Sequence, residues 1–196
     1  MKAEQFATLS FLLFAFPLAF SEQVLDHYRK PVLPSREYYI MPVLPGPSGG
    51  GLSPNVTDSS FKCPVTVIQR FSENECGSPV KFTELGEHDI SVKADTPLDI
   101  AFKEKANCAT ASNWVVVADD FPFRWIGIGT PNDHPGKKVI NGSFKILKKY
   151  MVGYQLAFCP AHGTMCSLVG KTRDLFGYRL VLTDRPLQVA FFPAHV

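Results

Sequence analysis

Thr96 to Phe102 reads TPLDIAF, and Arg185 to Phe191 reads RPLQVAF. In the first, Leu98, Ile100 and Phe102 alternate with Asp99 and Ala101; in the second, Leu187, Val189 and Phe191 alternate with Gln188 and Ala190. A period of two belongs to a half-buried strand, whose side chains point by turns to a core and to its other face. The two stretches share Pro, Leu, Ala and Phe at matching offsets, which predicts a repeated supersecondary unit. Many short strands with such repetition point to a closed all-β architecture that hides its edges.

Outward from these two stretches, β-rich runs recur at Glu37 to Met41, Val65 to Gln69, Val80 to Phe82, Ile90 to Val92, Trp114 to Val117, Arg124 to Ile128, Ser143 to Leu147, Tyr154 to Phe158 and Tyr178 to Leu182. Turn signals separate them: Pro45-Gly46-Pro47 with Gly49 to Gly51, Cys76-Gly77, Pro131 to Gly136, and Asn141-Gly142. Glycine supplies the positive φ that tight turns need, and proline pre-sets φ while removing a ladder donor. No stretch of helical length keeps an apolar stripe on one face.

Gly77 to Val92, GSPVKFTELGEHDISV, interrupts this pattern. Val80, Phe82, Ile90 and Val92 read as inward anchors of two strands. Thr83 to Asp89 is too charged, and alternates too little, to be buried. It is therefore an exposed loop on a rigid frame, the arrangement that binding sites favour because little ordering entropy is lost on contact.

Residues 1–21 are read as a signal peptide. Lys2 precedes an apolar run from Phe6 to Phe20, too short for a membrane span, and Ala19-Phe20-Ser21 puts small residues at the minus-three and minus-one positions before Glu22. Residues 22–196 then form one domain, since about 175 residues support one substantial core and not two. The expected protein is secreted, to the extracellular space or to the vacuole, with no membrane attachment after cleavage. The net charge of +2 favours neither nucleic acid nor an anionic surface. Lys137, Lys138, Lys145, Lys148 and Lys149 read as a solvated face.

All five cysteines lie beyond residue 21, where an oxidising compartment makes disulfides the default. Cys159 and Cys166 close a short loop and pair with each other; Cys63 and Cys108 then form the long-range bridge. Cys76 is the free cysteine, and Glu73 and Glu75 beside it disfavour a thiolate nucleophile. Cys159, His162 and Cys166 supply three zinc ligands at most, so no metal site is expected. Asn55-Val56-Thr57 and Asn141-Gly142-Ser143 are glycosylation sequons, at Asn55 and Asn141. His27, His134, His162 and His195 read as surface residues. No Ser-His-Asp signature, paired carboxylates or phosphate-cradling loop appears, so neither an enzyme nor a cofactor is expected.

VLDHYRKPVLPSREYYIMP from Val24, GGGL from Gly49, CPVTVIQ from Cys63, the Trp114 strand, YQLAFCP from Tyr154 and YRLVLTDRPLQVAF from Tyr178 together resemble the plant Kunitz-type soybean trypsin inhibitor family over residues 24–192. The resemblance implies a β-trefoil of twelve short strands in three pseudo-repeats. It also implies the disulfides Cys63–Cys108 and Cys159–Cys166, with Cys76 outside the family's four cysteines, and a monomer whose partner is a protease: serine, or by another loop cysteine or aspartic. In that family a loop enters the protease cleft in substrate-like form, and the matching residues are Leu85, Gly86, Glu87, His88 and Asp89. Counting from Phe82 puts the specificity-determining position near Glu87; counting back from Pro97 puts it at His88. Neither is the cation that trypsin's buried carboxylate requires. Pro34 stands where the family has a loop-supporting Asn. The resemblance therefore implies an inhibitor that is not a strong trypsin inhibitor, or else a non-inhibitory miraculin-like storage, defence or ligand-binding protein.

Overall fold

The computed structural model describes residues 22–44, 49–56, 63–86, 90–149 and 152–194; the expected signal peptide and His195 lie outside them. The described residues form thirteen strands: β1 (Tyr38–Pro42), β2 (Leu52–Asn55), β3 (Thr66–Gln69), β4 (Val80–Glu84), β5 (Leu98–Phe102), β6 (Trp114–Ala118), β7 (Trp125–Ile128), β8 (Lys138–Ile140), β9 (Gly142–Lys148), β10 (Tyr154–Pro160), β11 (Ser167–Asp174), β12 (Gly177–Leu182) and β13 (Gln188–Pro193).

Six of them close a barrel. β1 pairs with β4, β4 with β5, β5 with β9, β9 with β10, β10 with β13 and β13 with β1, all antiparallel. The alternation read from the sequence points inward: Phe82 faces Ile100, Leu156 faces Ile146 and Ile40 faces Phe191 in register, and all six are buried. Aromatic rings fill the interior, with Phe82 edge-on to Phe191 at 5.3 Å and Phe144 tilted against Phe158 at 5.3 Å, the offset geometries that ring quadrupoles favour. The hairpins β2–β3, β6–β7 and β11–β12 cap one end, joined through β3–β7, β3–β12 and β7–β12. This is the β-trefoil, in units β1–β4, β5–β9 and β10–β13. The second unit contains one strand more than four because β8 adds to β6.

The TPLDIAF and RPLQVAF stretches are both barrel strands, but β5 opens the second unit while β13 closes the third, so their likeness does not mark equivalent positions in the repeat. Three strands escaped the sequence reading. β2 contains Pro54, tolerated because among the described residues β2 pairs in a ladder only with β3, its other edge being bonded at Leu52, whose carbonyl accepts from Ser78 N–H; β8 is three residues long; the apolar pattern of β11 is broken by Gly170 and Lys171.

One expected strand is absent. Val92 is fully buried, but Ile90 is 90% exposed. The main chain of Val92 is taken by the N-terminal segment instead of a ladder: Val24 N–H donates to its carbonyl and its own N–H donates to Val32, both at 2.8 Å.

His134 is also not a surface residue, being 1% exposed. Its Nε2 lies 3.0 Å from the Ile128 carbonyl and its ring meets Trp125 edge-on. Burial pushes the imidazole pKa below its usual 6.5, because the charged form loses its hydration. The polar turn Pro131 to Gly136 around it concealed this position. His27 stacks on Phe192 at 4.2 Å while staying exposed, and His162 is exposed.

Candidate functional site

β4 ends at Glu84 and β5 begins at Leu98, so residues 85–97 form an excursion whose two ends emerge side by side from the barrel. Val80, Phe82, Leu98 and Ile100 anchor those ends in the core. Burying an aromatic or branched side chain of this size stabilises by roughly 1.5–3 kcal/mol each. The base is then closed by polar bonds. Leu85 N–H donates to the Pro97 carbonyl at 3.0 Å. Glu84 Oε1 accepts from Lys93 N–H at 2.8 Å and from the Thr96 hydroxyl at 3.3 Å, and that hydroxyl also lies 2.8 Å from the Lys93 carbonyl. Glu84 Oε2 is buried with no hydrogen-bond partner among the described residues.

The return limb, residues 90–97, is fastened to two neighbours. On one side lies the N-terminal segment: Ala94 N–H donates to the Glu22 carbonyl at 2.7 Å, Gln23 bridges Lys93, and Val24 and Val32 flank Val92. On the other is β9, where Asp95 N–H donates to the Ile146 carbonyl at 2.9 Å and the Asp95 carboxylate pairs with Lys145 at 3.0 Å. Pro34 has no amide to offer, but the first connection still reaches the loop through the main-chain carbonyl of Val32. Its own turn is held by Leu33 N–H donating to the Tyr38 hydroxyl at 2.9 Å.

Above this base the loop turns outward. Leu85 is 48% exposed, and Gly86 takes φ 141°, a region that residues with side chains rarely adopt, with open space among the described residues where a Cβ would stand. Ile90 re-enters the described chain as the most exposed large apolar residue of the limb. Glu87, His88 and Asp89 lie outside the described residues. Ile90 is the residue that the sequence reading misassigned: an apolar residue two positions before another reads as strand alternation, and only its exposure shows otherwise.

The two disulfides join Cys63 to Cys108 and Cys159 to Cys166, with Cα atoms 5.8 and 4.1 Å apart. The second closes the β10–β11 turn and uses the sulfurs of the considered zinc set. Cys76 is free and exposed. The glycine triplet is explained by Gly51, whose Cβ, if it had one, would lie 1.8 Å from the Cys76 carbonyl oxygen. Among the described residues no cluster of three or more His, Cys, Asp or Glu could hold a metal ion, and no helix is long and apolar enough to cross a membrane. Lys137 and Lys145 are paired with Asp119 and Asp95, and Lys148 with Glu22, so much of the lysine cluster is internally neutralised. Asn55 ends β2, and Asn141 is exposed between β8 and β9.

Residues 24–192 match the family model described as trypsin and protease inhibitor. A Kunitz-type trypsin inhibitor-like 2 protein of Pisum sativum is 42% identical, with 95% of this chain and 91% of the relative aligned. The subtilisin inhibitor CLSI-II of Canavalia lineata is 41% identical over 87% of this chain and 92% of its own. The crystal structure of a Kunitz type trypsin inhibitor from Cicer arietinum superposes with a TM-score of 0.84 at 39% identity, covering 88% of this chain and 99% of the other. With its barrel, its two disulfides and its braced β4–β5 loop, the chain belongs to the Kunitz-type family of plant protease inhibitors.

Proposed function

We propose that the protein is a secreted, monomeric inhibitor of serine endopeptidases that presents residues 85–90 to the protease as a substrate-like loop and acts on enzymes with apolar subsites in preference to trypsin. The observation that supports this is the loop's chemistry. No Lys or Arg occurs from Thr83 to Val92, while Leu85 and Ile90 hold large apolar side chains in solvent at 48% and 90% exposure. Trypsin's specificity pocket ends in a buried carboxylate that needs a cation, whereas elastase and chymotrypsin offer apolar slots. The name of the Canavalia lineata relative, a subtilisin inhibitor, agrees with a non-tryptic target. The braced base explains how such a loop would resist release. With both ends tied to β4 and β5, a cleaved loop stays in place, and the preorganised loop loses little entropy on binding.

The test is a panel of trypsin, chymotrypsin, elastase, subtilisin and papain, each titrated with the purified protein. Inhibition of subtilisin, elastase or chymotrypsin with trypsin spared is the expected result; nanomolar trypsin inhibition would overturn the reading of the loop. Indifference of all five to a folded protein would transfer it to the miraculin-like storage or defence reading. Glu87→Arg and His88→Arg are expected to gain trypsin inhibition unequally, which identifies the contact position. Pro34→Asn added to the better variant should raise it again.

A further inference from the structure

The most exposed apolar feature outside the loop is the tip of the β11–β12 hairpin. Asp174 and Gly177 are paired, so the turn consists of Leu175 and Phe176 alone, and these are 83% and 50% exposed. The turn is not free to fold its side chains back. Asp174 Oδ1 accepts the Leu175 N–H at 2.6 Å, and Asp174 Oδ2 accepts from Arg179 Nε at 2.7 Å. The Arg179 guanidinium in turn lies over Phe121 at 4.3 Å and Trp125 at 5.5 Å. Both members of this ion pair are nearly buried, with side chains 11% and 9% exposed, so the tip is fixed from below. Two adjacent apolar residues are thus held in water by a rigid support, an arrangement that calls for a cover.

The cover is supplied by the chain's own sequence. Asn55 begins the sequon Asn55-Val56-Thr57, and its side-chain Nδ2 donates to the Phe176 carbonyl across 3.5 Å at an exposed position. The side-chain oxygen is held as well, since Asn55 Oδ1 accepts the Val56 N–H at 2.7 Å. An N-linked glycan replaces one of the two Nδ2 hydrogens and leaves the second free to keep the bond to Phe176. Its first sugar is then bound to begin beside the Leu175–Phe176 turn, where the apolar C–H face of a pyranose can lie on the Phe176 ring and the Leu175 side chain. We propose that Asn55 bears an N-linked glycan whose core sugars pack on Leu175 and Phe176 and take the place of a protein partner at this hairpin. Asn141 differs in kind: its main chain is bonded to Ala161, and no pair of exposed large apolar residues adjoins it in sequence.

The proposal concerns the cap end of the trefoil and does not depend on which protease the loop meets. It is tested with the full chain secreted from a glycosylating eukaryotic host, beside the unglycosylated protein made in bacteria and an Asn55→Gln variant from the eukaryotic host. Mass spectrometry of the peptide containing Asn55 reads occupancy, and hydrogen exchange at residues 175–178 with binding of an apolar-surface dye reads the cover. The expected outcome is an occupied Asn55, amide exchange in the turn slowed about tenfold against the bacterial protein, and dye binding restored by Asn55→Gln. A Leu175→Ser, Phe176→Ser double variant should remain glycosylated and lose the slowing, because the sugar then has no apolar surface to sit on. An unshifted mass at Asn55 overturns the proposal. So does a glycan that leaves exchange and dye binding at the turn unchanged.

Discussion

Removing the Glu84 carboxylate tests whether the loop base is braced as its geometry implies. In Glu84→Ala the Thr96 hydroxyl keeps its contact with the Lys93 carbonyl at 2.8 Å, so the main loss is the bond from Lys93 N–H to Oε1 at 2.8 Å. A hydrogen bond to a charged acceptor contributes about 1.5–3 kcal/mol. Glu84 Oε2 is buried without a donor among the described residues, so deleting it recovers part of a desolvation cost. The net effect is then near the lower end, about 1.5 kcal/mol, equivalent to roughly tenfold more frequent opening of the return limb. Amide exchange at residues 91–94 should accelerate by about that factor, while barrel amides such as Ile100 and Leu156 exchange as before. Glu84→Gln retains an oxygen acceptor and should give a smaller acceleration, about threefold or less. Unchanged exchange at 91–94 in Glu84→Ala would refute the bracing role. Equal acceleration throughout the barrel would show that Glu84 supports the fold in general and not the loop.

Two further predictions concern stability. His134 is buried with its pKa held below 6.5 in the native state, so as pH falls below 6.5 the unfolded chain takes up a proton that the native state does not. Stability attributable to this site is present above that pH and is lost on acidification toward the lowered native pKa. Denaturation midpoints at about pH 5 and about pH 7.5 should differ less in His134→Gln, whose amide can still reach the Ile128 carbonyl, than in the parent; an equal pH response in both would exclude His134 as the source. The disulfides should also rank by loop length. With sequence separations of 45 and 7, chain entropy gives about 4 kcal/mol for Cys63–Cys108 and about 2 kcal/mol for Cys159–Cys166. Serine pairs at each bridge, compared by thermal unfolding, should show the larger loss at the first; the reverse order would refute the entropic account.

Much of this molecule is decided by local pattern. The alternation of Leu98, Ile100 and Phe102, and of Leu187, Val189 and Phe191, is a property of the strand itself, and the structure buries all of these but Leu187, which packs partly buried against the core. The cysteine pairing likewise followed from spacing, and the exposure of Leu85 and Gly86 from the lack of apolar period there, although the polar run begins two residues later than its composition suggested, because Thr83 and Glu84 still belong to β4. Tertiary structure decided what those patterns leave open. Ile90 stands two residues before Val92, as in a strand, yet points to solvent, while the main-chain bonds of Val92 go not to a ladder but to Val24 and Val32, some sixty residues earlier in the chain. His134 reads as part of a polar turn, yet its ring is enclosed by Trp125 and the Ile128 carbonyl. The meeting of Asn55 with Phe176 joins residues 121 apart, and the bracing role of Glu84 needs the chain to fold back on itself so that Lys93 and Thr96 return to its carboxylate. The side chain's type is local information, but its burial and its partners are set by which distant strands close the barrel around it.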